Sequence, residues 1–218
     1  MSEFIEIKYT KFTREIITDF SIMERARVSM EVGPLAIGKY PVTNYEYYLF
    51  IEETGYWPKG DMEDMFLAHW KDGKHPPQDK LSHPVTFVSY DDALVYAEFV
   101  KGRLPTYSEW LYAAFGDTDN QYPWGNEFFS DLCNVRKSGN KGTTPVGLFS
   151  PKGDSPVGCC DMIGNVWEWT STSLDEDEDI FLALGTGWDH YCFQLEIPLD
   201  RWYRNHSVGF RVVKERKR

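Results

Sequence analysis

No stretch of this 218-residue chain approaches the ~18 uninterrupted apolar residues that a membrane-spanning helix needs. The opening run, MSEFIEIKYTKFTREI, lacks the basic-then-apolar order of a secretion signal. The expected location is the cytoplasm, with no membrane partner. Positive charge is scarce as well: 23 Lys and Arg stand against 34 Asp and Glu, for a net charge of -11. Such a surface repels a phosphate backbone unless its basic side chains are segregated. The only basic cluster is the terminal run Lys214 to Arg218, which reads as a solvated end, so nucleic acid is not an expected partner. Cysteine is sparse too. Of Cys133, Cys159, Cys160 and Cys192, two are adjacent and poorly placed to bridge each other, and a reducing compartment keeps thiols free. There is no internal repeat.

Apolar residues make up 42% of the chain and aromatics 16%, enough to bury a substantial core in one domain spanning residues 1–218. Three helix starts share one chemistry, a Ser or Thr that caps N–H groups and an acid three residues on that reaches back. They are Thr43 with Glu46, Ser89 with Asp92, and Thr106 with Glu109. Tyr47, Phe50 and Ile51 follow the first at helical spacing before Gly55; Trp110, Ala113 and Ala114 follow the third before Gly116. Beyond Gly116, WGNEF, SGNKGTTPVG, SPKGDSPVG and LGTGW supply turn residues too often for helices to form between them. Strand-like runs are brief, at 4–9, 34–39, 166–170 and 208–213. The acidic run Asp175 to Asp179 reads as a solvated loop rather than a metal loop, through mutual repulsion. Together these predict an α+β domain with small sheets and extensive loops, and loops of that extent commonly carry function.

Six motifs occur in order: KYPVTN at 39–44, HPV at 83–85, GRLPTYSEW at 102–110, YPWGNE at 122–127, DMIGNVWEWT at 161–170 and VGFR at 208–211. Singly each is weak; in this order they resemble the formylglycine-generating enzyme (sulfatase-modifying factor) family over residues 30–213. The resemblance implies that family's variant of the C-type lectin fold. Two main helices, beginning near Thr43 and near Ser89 or Thr106, would accompany small sheets that scaffold the loops.

In the family the segment before DMIGNVWEW commonly carries a Gly-Leu-Tyr-like sequence, so Cys159 and Cys160 replace packing residues and are expected to be inert. Trp167 and Trp169, two apart on a strand, share a face that is more often core than ligand platform. The resemblance also implies calcium. Asn165 and Glu168 match one pair of ligands, and loop oxygens suit a hard cation that needs several more. Asn134 and the backbone of Val135 match a second site, weakened by Ser138 where an acid is expected. The structural alternative is that Asn165 takes a left-handed turn and Glu168 accepts backbone N–H groups.

Formylglycine-generating enzymes carry two cysteines about five residues apart in the C-terminal segment, resembling a two-thiolate copper(I) site that uses dioxygen. The matching segment, Leu184 to Phe193, holds Cys192 alone, with His190 two residues before it. Iron-binding branches use histidines that reside largely in an added helical domain. Here His69 and His75 lie six apart, off one helix face, and His83 precedes Pro84 as in many members. No catalytic residue is assigned on these grounds.

The segments WDHYCF at 188–193 and WYRNHS at 202–207 hold the residue types that form binding hot spots. The expected ligand contacts are Asp189, His190, Tyr191, Cys192, Phe193, Trp202, Tyr203, Asn205, His206 and Ser207, with Trp188 and Arg211 as scaffold beneath. The competing reading places these aromatics in core under long loops. The ending RNHSVGFRVV at 204–213 also resembles that of variable proteins of diversity-generating retroelements, whose diversified residues sit in this segment. All but Trp202 among the expected contacts are types reached by randomising adenines of an Asn codon; Gln194 is not, and both would be fixed. The expectation is a non-catalytic protein that binds a neutral or basic macromolecular ligand, with calcium the only cofactor in view. The alternative is an oxidoreductase of the family with rearranged ligands.

Overall fold

A computed structural model describes residues 3–19, 23–58, 65–70, 73–175, 177, 179–191 and 194–216. All three capping boxes start helices. Helix α1 (Asn44–Thr54) is capped by Thr43, α2 (Tyr90–Phe99) by Ser89 and α3 (Tyr107–Phe115) by Thr106, each with its reciprocal acid in place. The acids reach back to the cap N–H at 2.9, 2.7 and 2.8 Å. Gly55, at φ +64, closes α1 with a hydrogen bond from its N–H to the Ile51 carbonyl, a left-handed stop that costs a residue without Cβ nothing. The fold class is α+β as expected, but the helices number three among the described residues, of 11, 10 and 9 residues, rather than two. Nothing in the sequence ranks one of three equivalent capping boxes below the others.

Three small sheets surround these helices. The strands β1 (Phe4–Ile7), β4 (Leu35–Gly38) and β9 (Val213–Glu215) pair antiparallel, so the two ends of the described chain meet on β4. Strands β2 (Thr10–Asp19) and β3 (Glu24–Val32) form a hairpin. It is absent from the sequence expectation because, among the described side chains, only Phe12, Ile17, Met30 and Val32 are buried on a ribbon interrupted by charge. The third sheet runs β7 (Glu196–Asp200), β6 (Ile180–Gly185), β5 (Trp167–Ser173), β8 (Val208–Gly209), with β5 and β8 parallel. Asp175 orders the β5–β6 turn: its Oδ1 accepts from the N–H groups of Asp179 and Ile180 at 3.1 and 3.0 Å, so its part of the acidic run is built structure rather than mere solvated loop. Between α3 and β5 the chain is loop with a single 3-10 turn at Arg136–Ser138.

The core lies in two main clusters. One joins α1 and α2 to β5 through Tyr47, Phe50, Tyr96, Trp167, Trp169 and Phe210; the other joins α3 to the hairpin and the terminal sheet through Phe12, Met30, Leu35, Trp110 and Phe115. Trp167 and Trp169 are core, as their shared strand face implied. Cys133, Cys159 and Cys160 are free and buried. Burial, outweighing the nearby Arg211, pushes the Cys159 thiol up to about 11; burial and Asp154 push Cys160 up to about 12. A thiol that far from ionising is a poor nucleophile. At pH 8 a chromogenic disulfide reagent is therefore expected to leave these three thiols untouched in the native protein and to titrate them in denaturant. Labelling of Cys159 or Cys160 in the native state, read by peptide mapping, would contradict that. Among the described residues no helix is long and apolar enough to cross a membrane.

Candidate functional site

Strand β6 ends at Gly185 and leads to a turn at 188–189, and β8 is entered directly from residues 202–207, so the two aromatic segments lie side by side at one end of the third sheet. The join is specific. Asp189 sits between two imidazoles, its Oδ1 2.9 Å from His190 Nδ1 and its Oδ2 3.0 Å from His206 Nε2. Burial alone would raise the Asp189 carboxyl, but the hydrogen bond and charge of His190 hold it below the usual carboxylate range. Trp188 clamps the same join: its Nε1 donates to the His206 carbonyl at 3.2 Å and its ring lies 5.2 Å from the His206 ring. Its backbone N–H bonds the Asn165 carbonyl at 3.1 Å, which ties the face to the sheet below.

The predicted contacts divide by burial. Tyr191, Trp202 and Tyr203 are exposed at 43%, 46% and 36%. Asp189, His190, Asn205 and His206 are half-buried at the join. Ser207 is a correction: at 2% exposed it is structure, donating its N–H and Oγ–H to Asn205 Oδ1 at 3.1 Å each. Asn205 in turn donates to the Tyr203 hydroxyl at 2.9 Å, which fixes that ring. Cys192 and Phe193 lie outside the described residues. Two further corrections are gains: Arg136 places its guanidinium 5.6 Å over the Tyr191 ring, and Phe87, whose N–H bonds the Asn205 carbonyl, sits between the rings of His206 and His69. Both come from loops distant in sequence, where no local pattern marks them.

Beneath the face the alternate residues are anchors. Arg204 is buried and forms an ion pair with Asp92 of α2, Nε to Oδ2 at 2.7 Å and Nη2 to Oδ1 at 3.1 Å. Arg211, fully buried, donates to both oxygens of Glu168 at 2.6 and 2.7 Å and to the carbonyls of Gly38, Lys39 and Cys160. Arg211 is scaffold as expected.

The side chains that the family resemblance pairs as calcium ligands make protein hydrogen bonds in this structure. Both oxygens of Glu168 are committed, to Arg211 and to the Trp110 indole N–H at 2.8 Å, and a dication at that carboxylate would sit against a buried guanidinium. Asn165, at φ +70, instead takes the left-handed turn, its Oδ1 accepting from the Thr144 N–H at 2.9 Å and from Asn134 Nδ2 at 3.3 Å. Asn134 Oδ1 accepts from Asn140, while Val135 and Ser138 close a tight turn on each other. Among the described residues no three His, Cys, Asp or Glu side chains converge on one point.

One position bears on catalysis. Five residues before Cys192 stands Gly187, where the family places its second thiol. A Cβ there would lie 2.8 Å from Ser207 Cβ and 2.9 Å from Asp189 Oδ1, closer than real Cβ contacts allow. Asp189 and Ser207 occupy the space a second cysteine would need.

The family described as sulfatase-modifying factor enzyme 1-like domain matches residues 3–216. The chain belongs to that family. It is 31% identical over 201 residues to a Bos taurus protein named inactive C-alpha-formylglycine-generating enzyme 2, over 72% of this chain and 66% of that protein. It is 32% identical over 186 residues to the formylglycine-generating enzyme of Thermomonospora curvata, over 65% of this chain and 60% of that one. The chain thus spans less than two thirds of the length of these relatives. Among solved structures, Treponema denticola variable protein 1 superposes with a TM-score of 0.71 over 98% of this chain and 95% of that chain, at 16% identity, a likeness of fold. The sulfatase-modifying factor scaffold expected from the six motifs is the one present.

Proposed function

We propose that this member of the sulfatase-modifying factor family is a non-catalytic, cytoplasmic binding protein whose ligand face is built from residues 189–193 and 202–206. The observation that carries the reading is the join itself: Asp189 bridging His190 and His206 holds two sequence segments as one surface, with Tyr191, Trp202 and Tyr203 exposed on it. Rigid aromatics beside adaptable polar groups suit a macromolecular partner. The net charge of -11 favours one that is neutral or basic. A bovine relative named inactive, and a fold shared with a variable protein, support binding over catalysis.

The diversified version of this reading makes a separate demand. Sequencing the gene from sister isolates, together with its surroundings, should show substitutions confined to Asp189–Phe193, Tyr203, Asn205 and His206, with Trp202 and the buried anchors, Arg204 among them, constant and a reverse transcriptase nearby. Substitutions spread evenly over the chain would remove that version.

The alternative, an oxidoreductase with rearranged ligands, is favoured by the Thermomonospora relative named formylglycine-generating enzyme. Reduced protein incubated with copper(I), dioxygen and a peptide bearing a sulfatase-type cysteine motif is expected to leave that cysteine unchanged by mass. Its conversion to an aldehyde would make the protein an enzyme and overturn the proposal.

A further inference from the structure

Between the β2–β3 hairpin and the rest of the domain lies a cavity of about 820 Å³, apart from the face described above. Its apolar walls include Ile16 and Ile17 of the hairpin, Leu111 of α3, and Leu195. A volume of that order suits a small organic ligand, and such sites are typically apolar with a few convergent polar groups. Here those groups are unsatisfied. The Tyr107 hydroxyl and Glu196 Oε2 lie next to each other, both buried from water, and neither completes a hydrogen bond of good geometry with a protein group. A buried acceptor without a well-placed donor is costly, so Glu196 Oε2 beside the Tyr107 hydroxyl favours a ligand that brings an N–H. Burial raises the Glu196 carboxyl above its ordinary range despite Tyr107, Arg25 and Arg14 nearby.

The cations differ in availability. Arg14 is spent: its two terminal nitrogens donate to the carbonyls of Thr118 and Asn120 at 3.0 and 2.9 Å, and its guanidinium stacks on Phe115 at 3.6 Å. Asp119 at the rim is paired with Arg27 at 2.7 Å. Arg25, exposed on β3, lines the cavity and makes no hydrogen bond or ion pair among the described residues. Arg25, which already acts on the Glu196 carboxyl through its charge but makes no hydrogen bond among the described residues, and Glu196 thus line one space of mixed polar and apolar walls.

We infer that this cavity binds an amphipathic zwitterion, with a cationic amine donating to Glu196, a carboxylate paired with Arg25, and an apolar body between them against Ile16, Leu111 and Leu195. A guanidinium matches a carboxylate in two parallel hydrogen bonds, and an ammonium supplies the donors that Glu196 lacks.

The test uses 8-aminooctanoate as probe, with octylamine and octanoate as half-ligands, in titration calorimetry on the full chain. The zwitterion is expected to bind saturably and at least about tenfold more tightly than either half-ligand. Glu196→Gln should erase its advantage over octanoate, and Arg25→Gln its advantage over octylamine, with melting temperature showing that both variants fold. Absence of saturable binding, equal binding by a half-ligand, or preferences that survive both substitutions would each overturn the inference.

Discussion

Arg211→Ala is expected to lower the unfolding free energy by about 3–5 kcal/mol, the cost of stranding a buried charge whose partner remains. Glu168 would keep only the Trp110 indole as donor, and the carbonyls of Gly38, Lys39 and Cys160 would each lose the guanidinium bond, although Lys39 keeps the Cys160 N–H. The guanidinium joins β5, the end of β4, the cysteine loop and the segment after β8, so its loss acts on the whole frame beneath the candidate face. Urea denaturation read by Trp fluorescence measures it. A companion variant, Glu168→Gln with Arg211→Met, removes both charges and should recover part of the loss. A change below about 1 kcal/mol for Arg211→Ala, within the range of surface substitutions, would show that the pair is not the frame's anchor.

The second large effect runs the other way. Asp161 is buried at φ +55, with Oδ2 accepting from the Gly147 N–H at 2.6 Å. Burial raises its carboxyl from 3.8 to about 6, over the opposing pull of the Gly147 bond and of Arg211. A folded value above the unfolded one means that the associated stability is fully present below about pH 3.8 and is lost as pH rises through about 6. At pH 7.5 the ionised side chain then costs on the order of 3 kcal/mol, because a tenfold change in a proton-binding constant is worth about 1.4 kcal/mol. Asp161→Asn keeps an oxygen for Gly147 and suits a left-handed backbone. The variant should be more stable than the parent by about 1–3 kcal/mol at pH 7.5, with the difference vanishing towards pH 4. A less stable variant at pH 7.5 would mean that the carboxylate is satisfied in the native protein by a group or ion that needs its charge.

Much of this architecture is legible in the sequence because its signals are local. A capping box needs four residues, and all three boxes formed. Trp167 and Trp169 announce a buried strand by spacing alone. The hairpin is hidden because charges interrupt its strands at eight of nineteen positions and its inward face packs in a cluster with α3, which lies far along the chain. Strand β6 was hidden for the opposite reason: IFLALG is buried almost throughout and so shows no alternation. In the site, residue types marked Asp189, His190, Tyr191 and Tyr203, but not which neighbours of the same types face inward. Ser207 looks like its surface neighbours in sequence and is buried, whereas Arg136 and Phe87 reach the face from loops no motif connects to it. The Glu168–Arg211 pair was not legible either, because the two residues lie 43 apart in sequence with no local spacing to connect them.

The central claim, that the 189–193 and 202–206 segments are a surface for a ligand rather than core under loops, is tested most directly by replacing His190, Tyr191, Phe193, Tyr203 and His206 together with Ala. The account predicts that stability falls by no more than the small change expected for surface positions, of order 0.5 kcal/mol each, with the secondary-structure signal unchanged. It also predicts that any ligand selected against the parent protein from a neutral or basic binding library no longer binds the variant. A drop of several kcal/mol in unfolding free energy, or a variant that still binds such ligands as the parent does, would contradict it.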